Sequence, residues 1–275
     1  MFTFIDTIQD LAFLNNELLE KSYLGVDTEF RRTTKDNMKL ALLQINDGQE
    51  IYLIDAIAIK DPLDHASFLF SHSVVKIFHS CKEDIEAIFS WTNKEMMNIF
   101  DTQLAHSFLE DEYAVSYQGL VKKKLDIDLE KKETRSNWLR RPLSDDQLKY
   151  AVLDVEYLIH LYQEQSEELL ASKKFDWLMQ DIERLIRLIF NQDDFVQEPL
   201  RTIPKSQENE LFFKFNELIE SIAYREKINS TLFFSKKAQK DFLRLVLMNG
   251  VSQSLKGITV WREGLIKNDL INLLK

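Results

Sequence analysis

Apolar and polar positions follow two different periods along this chain, and the change of period divides it. Short apolar runs rich in leucine, isoleucine and valine fall at residues 23–30, 39–45, 50–54, 74–79 and 98–100, and each predicts a strand. Asn46-Asp47-Gly48 separates the second run from the third with the Asp-Gly pair of a hairpin turn. Between the runs, residues 7–20, 62–71, 84–91 and 102–109 carry helical spacing. A hairpin followed by strands joined through helices predicts a mixed α/β layer fold. From Ser144 onward the period is helical. Ser144-Asp145-Asp146-Gln147 is a capping box that opens a long helix to about residue 169, and a second helix follows at 175–190. Shorter amphipathic helices are predicted at 210–224, 236–247 and 261–274. Pro199 and Pro204 bracket a polar stretch, so the chain divides into a domain of residues 1–195 and an all-helical one of 205–275.

Composition narrows the class without changing this layout. Of 275 residues, 45% are apolar and 29% charged, with six glycines and four prolines, which excludes collagenous and low-complexity chains. No apolar run approaches the roughly 18 residues that cross a bilayer. The opening Met1-Phe2-Thr3-Phe4-Ile5-Asp6 lacks the basic stretch of a secretory leader. Cys81 is the single cysteine, which excludes an internal disulfide and a thiolate zinc site and predicts a cytoplasmic protein. The net charge of −10 is unevenly spread: residues 200–275 hold 13 Lys+Arg against 8 Asp+Glu, a net of +5, and the rest carries −15. An acidic body repels nucleic acid unless metal ions neutralise it, whereas a basic tail attracts phosphates.

Three acidic clusters carry candidate chemistry. Val26-Asp27-Thr28-Glu29-Phe30 ends the first long strand. Residues two apart on a strand share a face, so Asp27 and Glu29 stand about 6.5 Å apart along it. Two acids side by side in an apolar strand call for a cation, and oxygen ligands select Mg²⁺ or Mn²⁺. A solvated strand end is the competing explanation. Ser80 with Glu83 forms a second capping box, which puts Asp84 in the first turn of a helix. On the long helix, Tyr150 and Asp154 are four apart and share one face beside the apolar stripe.

Together, Asp27, Glu29, Asp84, Tyr150 and Asp154 reproduce in order the pattern of the DEDDy 3′–5′ exonucleases. Three further segments resemble the bacterial ribonuclease D family: His79-Ser80-Cys81-Lys82-Glu83-Asp84, Phe100-Asp101-Thr102-Gln103, and residues 134–143 (TRSNWLRRPL). The resemblance covers roughly residues 1–190. It implies a ribonuclease-H-like exonuclease domain, a mixed β-sheet flanked by helices, with two catalytic divalent cations. Residues 207–275 resemble, through residues 222–227 (IAYREK) and 261–265 (WREGL), the small helical HRDC bundle that follows the nuclease in that family. Typical members carry two such bundles, and this chain has room for one.

Phosphodiester cleavage needs a nucleophilic water, in-line geometry and charge stabilisation at phosphorus, which two metals about 4 Å apart supply. The resemblance implies that Asp27 bridges both ions, that Glu29 and Asp154 hold the water-activating one, and that Asp84 serves the other through water. It implies that Tyr150 bonds the attacking water. A phenol with a pKa near 10 is a poor base, which leaves Tyr150 an orienting role. The expected activity is a 3′–5′ exoribonuclease releasing 5′-monophosphates from the 3′ ends of precursor tRNA and other small structured RNAs, as a monomer without membrane attachment. A DNA 3′–5′ exonuclease and a catalytically inactive RNA-binding scaffold are the alternatives.

Other positions are candidate nucleic-acid contacts with a structural alternative each. Phe30 and His79 flank two of the acids and could meet the terminal nucleotide or pack internally. Arg135, Arg140 and Arg141 could grip phosphates or pair with acids. Arg225, Lys227, Lys236, Lys237, Lys240 and Arg262 are the basic candidates of the helical tail. Asp101 and Gln44 match structural positions of the family rather than metal ligands.

Overall fold

The computed structural model describes residues 2–34, 37–129, 136–190 and 200–274. Among them, six strands form one sheet: β1 (Phe2–Ile5), β2 (Tyr23–Thr34), β3 (Asn37–Asn46), β4 (Ile51–Asp55), β5 (Val75–Phe78) and β6 (Ile99–Asp101), in the order β1-β4-β3-β2-β5-β6. The β2–β3 and β3–β4 pairs are antiparallel, whereas β1–β4, β2–β5 and β5–β6 are parallel. The mixed α/β class expected from the pattern is therefore the observed one. β3 and β4 are interior strands, buried along most of their length, and read as nearly unbroken apolar runs. The turn between them has Gly48 at φ +88°, with Asp47 Oδ1 accepting from the amides of Gln49 and Glu50 at 2.8 and 2.7 Å.

The helices are α1 (Ile8–Leu19), α2 (Lys82–Thr92), α3 (Thr102–Leu109), α4 (Tyr117–Leu125), α5 (Asp145–Glu156), α6 (Leu158–Ala171), α7 (Phe175–Ile189), α8 (Lys205–Glu226), α9 (Ser230–Phe233), α10 (Lys236–Asn249), α11 (Val251–Leu255) and α12 (Val260–Leu273). Four differences from the sequence expectation stand out. β1 has no counterpart among the predicted strands; its four residues become a strand only by pairing with β4. The helix expected at 62–71 is two separate 3₁₀ turns, Leu63–His65 and Ser67–Phe70. The single helix expected from Ser144 to about 169 is broken at Tyr157 into α5 and α6. Finally, α4 is an element of its own, capped by Ser116, whose hydroxyl accepts from Gly119 N–H.

By their contacts the described residues form two compact units, one within Met1–Leu104 and Val115–Glu167, the other within Ala105–Ala114 and Glu168–Lys275. The sequence expectation put the division between 195 and 205, whereas residues 105–114 and 168–190 fall in the second unit. The reason is the apolar and aromatic face of α7. Trp177 stacks on Trp261 of α12, with centroids 4.9 Å apart and planes at 11°. Asp181 accepts from Trp261 Nε1 at 3.0 Å and from the Arg262 guanidinium. In the first unit, Gly25 of β2 faces α5 and α6 so closely that a Cβ there would lie 3.2 Å from the Leu158 Cβ, 3.3 Å from the Val155 carbonyl and 3.4 Å from the Asn46 Cβ.

Candidate metal centre

β2 sits between β3 and β5, and the β5 ladder ends at Gly25 opposite Ile77. Beyond that pair, β2 continues with Asp27 and Glu29 while β5 gives way to the turn that starts α2. The β2–β3 register shifts between Glu29 and Phe30, a bulge-like irregularity of the kind that re-aims side chains next to functional sites. Gly25, Asp27 and Glu29 share the face of β2 that lies under α5, and α5 delivers Asp154 in its last turn. Ligand oxygens of Asp27, Glu29 and Asp154 all lie within 4.8 Å of one another. Three acids far apart in the sequence thus converge at one point.

Asp84 reaches the cluster differently. Thr28, between the two strand acids, donates its hydroxyl to Asp84 Oδ1 at 2.5 Å, and Asp84 itself is buried. It stands outside the tight group of three but close enough for its charge to act on Asp27, Glu29 and Asp154. The helix that carries it is not started by the expected Ser80–Glu83 box. Ser80 takes φ +67°, Cys81 is the cap residue, and no side chain of the box caps α2. Asp101 performs that task from β6: its carboxylate accepts from the amides of Ser80 and Cys81 at 3.0 and 2.9 Å, and from Gln103 and Leu104 at 2.8 and 3.1 Å. One buried carboxylate therefore ties the start of α2 to the start of α3. The box expected at the start of α5 is present, with Ser144 and Gln147 bonding reciprocally.

The electrostatics of the cluster follow from crowding four carboxylates together, Asp84 buried and the other three half-buried and shielded from solvent by the surrounding protein. Burial raises the Asp27 pKa well above the ordinary carboxylate range, and the charges of Asp84, Asp154 and Glu29 push it further. Glu29 is raised to about 9, by burial first and then by Asp154 and Asp84. Asp84 and Asp154 are each raised to about 7, again by burial first, with hydrogen bonds from Thr28 and Tyr150 respectively opposing the rise. Such a site holds its acids as ions only when positive charge is supplied. A compact all-oxygen donor set of this kind suits a hard divalent cation.

Two aromatic residues brace Asp154. Tyr150 hydrogen-bonds to it from one turn earlier, and burial together with Asp154, Glu29 and Asp27 raises the Tyr150 phenol above its usual range. The Trp138 ring lies 6.1 Å from the Tyr150 ring. Tyr117, which the sequence reading passed over, is inserted into the helix itself. Its hydroxyl donates to the Leu153 carbonyl at 3.2 Å and accepts from Tyr157 N–H at 3.0 Å, the two groups that would pair with each other in an unbroken helix. This insertion, three residues beyond Asp154, is what separates α5 from α6. Asn46 adds two bonds from its side-chain amide to the Val155 and Glu156 carbonyls, at 3.0 and 3.2 Å. No local signal at Tyr117 announces this role, because its partners lie 36 and 40 residues further on.

The candidate nucleic-acid contacts divide. Phe30 lines a depression of about 360 Å³ with Arg31, Ser136, Asn137 and Trp138. Arg140 is exposed, and Arg135 lies outside the described residues. Arg141 is not a free phosphate grip: it bonds Asp55 through Nε and Nη2 at 2.6 and 2.7 Å, and its remaining donors reach the carbonyls of Ala41, Trp138 and Arg140. Burial works against the Asp55 anion, but these bonds prevail and hold its pKa below the ordinary range. His79 has both ring nitrogens engaged, with Thr102 Oγ1 at 2.9 Å and the Val115 carbonyl at 3.0 Å. Arg262 is buried, with donors committed to Asp181, Thr259, Leu232 and Phe233, so the sequence expectation of a phosphate contact fails there. Lys227, Lys237 and Lys240 are exposed; Lys236 and Arg225, also exposed, have acidic neighbours in Glu220 and Glu226.

Comparison with known proteins places this geometry. Residues 2–170 match the family model described as 3′–5′ exonuclease. Ribonuclease D of Pseudomonas paraeruginosa is 37% identical over 193 residues, covering 69% of this chain and 51% of that protein. The chain spans about half the length of the curated relatives it matches. The crystal structure of Escherichia coli RNase D, an exoribonuclease involved in structured RNA processing, superposes with a TM-score of 0.66 at 21% identity, covering 99% of this chain and 74% of that one. Brucella melitensis NrnC with bound Mg²⁺ gives a TM-score of 0.58 at 20% identity, covering 71% of this chain and 97% of that one. Both structures share the fold.

Proposed function

We propose, since this chain belongs to the 3′–5′ exonuclease family, that it is a metal-dependent 3′–5′ exoribonuclease acting on the 3′ ends of precursor tRNA and other small structured RNAs. The observation that carries this reading is the convergence of Asp27, Glu29 and Asp154 from a strand and a distant helix. Two divalent cations, Mg²⁺ or Mn²⁺, would bind there, lowering the pKa of a bound water and offsetting charge on the phosphate as the bond breaks. The oxygen donors present fit such ions: Asp27, Glu29 and Asp154 would hold them, with Asp84, bonded by Thr28, supporting from beside the cluster. The ribonuclease D relatives favour RNA, and NrnC favours Mg²⁺.

In the reaction, water oxygen bonds to the terminal phosphorus and the bond from phosphorus to the 3′ oxygen breaks. The nucleotide leaves as a 5′-monophosphate, and the shortened chain keeps its 3′ oxygen as a hydroxyl. Tyr150, anchored on Asp154, orients the attacking water and does not remove its proton, since its phenol is raised out of range for a base. Phe30 and Trp138, which line one depression, would meet the terminal base.

The second part of the proposal concerns residues 205–275, read as an HRDC-like bundle whose exposed Lys227, Lys237 and Lys240 attract the RNA backbone. The molecule acts as a cytoplasmic monomer in this reading; among the described residues no helix is long and apolar enough to cross a membrane.

A gel time course on a 5′-labelled precursor tRNA with Mg²⁺ tests the activity. The expected result is a ladder shortening from the 3′ end, abolished by chelator and by Asp27→Asn. An intact RNA beside a shortened single-stranded DNA would transfer the activity to DNA, and two intact substrates would leave a binding scaffold.

A further inference from the structure

Gln44 lies on β3 directly across the ladder from Asp27. Cross-strand partners point to the same face, with Cβ atoms about 5 Å apart. That face is the one under α5, because Asn46, two residues further along β3, bonds the carbonyls at the α5 end. Gln44 is therefore held between the strand that carries Asp27 and the helix that carries Asp154. It is completely buried, and neither its amide nitrogen nor its amide oxygen has a hydrogen-bond partner in the protein.

Both atoms being unpaired sets it apart from the other buried glutamines described. Gln165 and Gln239 leave only the oxygen unpaired and spend the nitrogen on the Thr102 and Phe234 carbonyls, and Gln147 completes the α5 capping box. A buried amide with no partner is costly, and a glutamine is a poor choice for a core position that an apolar side chain would fill. Its immediate cross-strand neighbour is an acid of the metal centre. A carboxylate that ligates a cation through one oxygen keeps acceptor capacity on the other, and outer hydrogen bonds to such ligands fix their orientation.

We propose that Gln44 is a positioning residue of the metal centre, whose side-chain N–H donates to the Asp27 carboxylate when cations are bound there. The inference rests on the metal-centre reading given above. Leucine or methionine at this place would fill the core equally well and leave Asp27 free to turn away from the ions.

Calorimetric titration of the full chain with Mn²⁺, for the wild type and Gln44→Met, separates this inference from the reading beneath it. The expected result is Mn²⁺ binding about 10- to 100-fold weaker in Gln44→Met, with the thermal midpoint of the cation-free protein unchanged or raised. A purely structural glutamine would instead lower that midpoint and leave the Mn²⁺ affinity alone; affinities within twofold of each other overturn the proposal. A wild type that binds no Mn²⁺ removes the metal centre and the role of Gln44 with it. NMR of the wild type with Mg²⁺ keeps the question decidable if Gln44→Met does not fold. The Gln44 side-chain amide signals shift on Mg²⁺ addition if the amide serves Asp27, and signals that stay in place overturn the idea.

Discussion

The acids of the site share a heavy electrostatic burden: Asp27 is raised well above the ordinary carboxylate range, Glu29 to about 9, and Asp84 and Asp154 to about 7. In the unfolded chain the same groups titrate near 4. Between those limits the folded protein holds protons that the unfolded chain has released, so stability falls as pH rises through this window. The thermal midpoint of the chelated protein should therefore drop from pH 5 to pH 8, and Mg²⁺ should raise it more at pH 8 than at pH 5. A midpoint that climbs with pH would contradict the clustered burial of these acids. Tyr150 makes a different prediction. A hydrogen bond to a charged group contributes about 1.5–3 kcal/mol, so Tyr150→Phe should slow single-turnover cleavage at saturating Mn²⁺ roughly tenfold to a hundredfold, and an unchanged rate would remove its orienting role.

The break between α5 and α6 lies three residues beyond Asp154, and the Tyr117 hydroxyl and the Asn46 amide both enter it. Tyr117→Phe would let Tyr157 N–H pair with the Leu153 carbonyl again, closing the helix and carrying Asp154 with it. A misplacement of about 1 Å at a reacting centre costs on the order of a hundredfold. The expected outcome is a loss of kcat of that order with little change in thermal midpoint; unaltered kcat would show that the break has no bearing on the acid. The same element shows what could be read from the chain and what could not. The strands, the capping box of α5, and the pairing of Asp27 with Glu29 and of Tyr150 with Asp154 all rest on neighbours within four residues, where periodicity speaks. Joining those pairs with Asp84 into one site took the family pattern, since no local spacing links them. The helix break, the capping of α2 by Asp101 and the Arg141–Asp55 clamp depend on partners 36 to 40, 20 to 21 and 86 residues away. Arg141 and Arg262 looked like phosphate contacts because a guanidinium reads the same in sequence whether it faces solvent or a buried aspartate.

Charge is unevenly distributed along the whole chain. The acids of the metal centre lie in the sheet-bearing unit, and the net positive stretch is residues 200–275. RNA affinity should fall with salt, and Lys237→Ala with Lys240→Ala should flatten the log–log salt dependence by about 1.4, at about 0.7 per lost single-strand phosphate contact. The rate of cleavage at saturating RNA should not move; filter binding across a salt series, beside single-turnover kinetics, checks both. Gly25 points to a complementary variant. With a Cβ at 3.2 Å from Leu158 and 3.3 Å from Val155, Gly25→Ala must push the Asp154 helix off the Asp27 strand by a few tenths of an ångström while leaving the lysines of residues 200–275 unaltered. On the proposed function, one methyl group would thus turn a trimming enzyme into a snare, a chain that seizes 3′ ends without shortening them and from which its bound RNA could be recovered and sequenced.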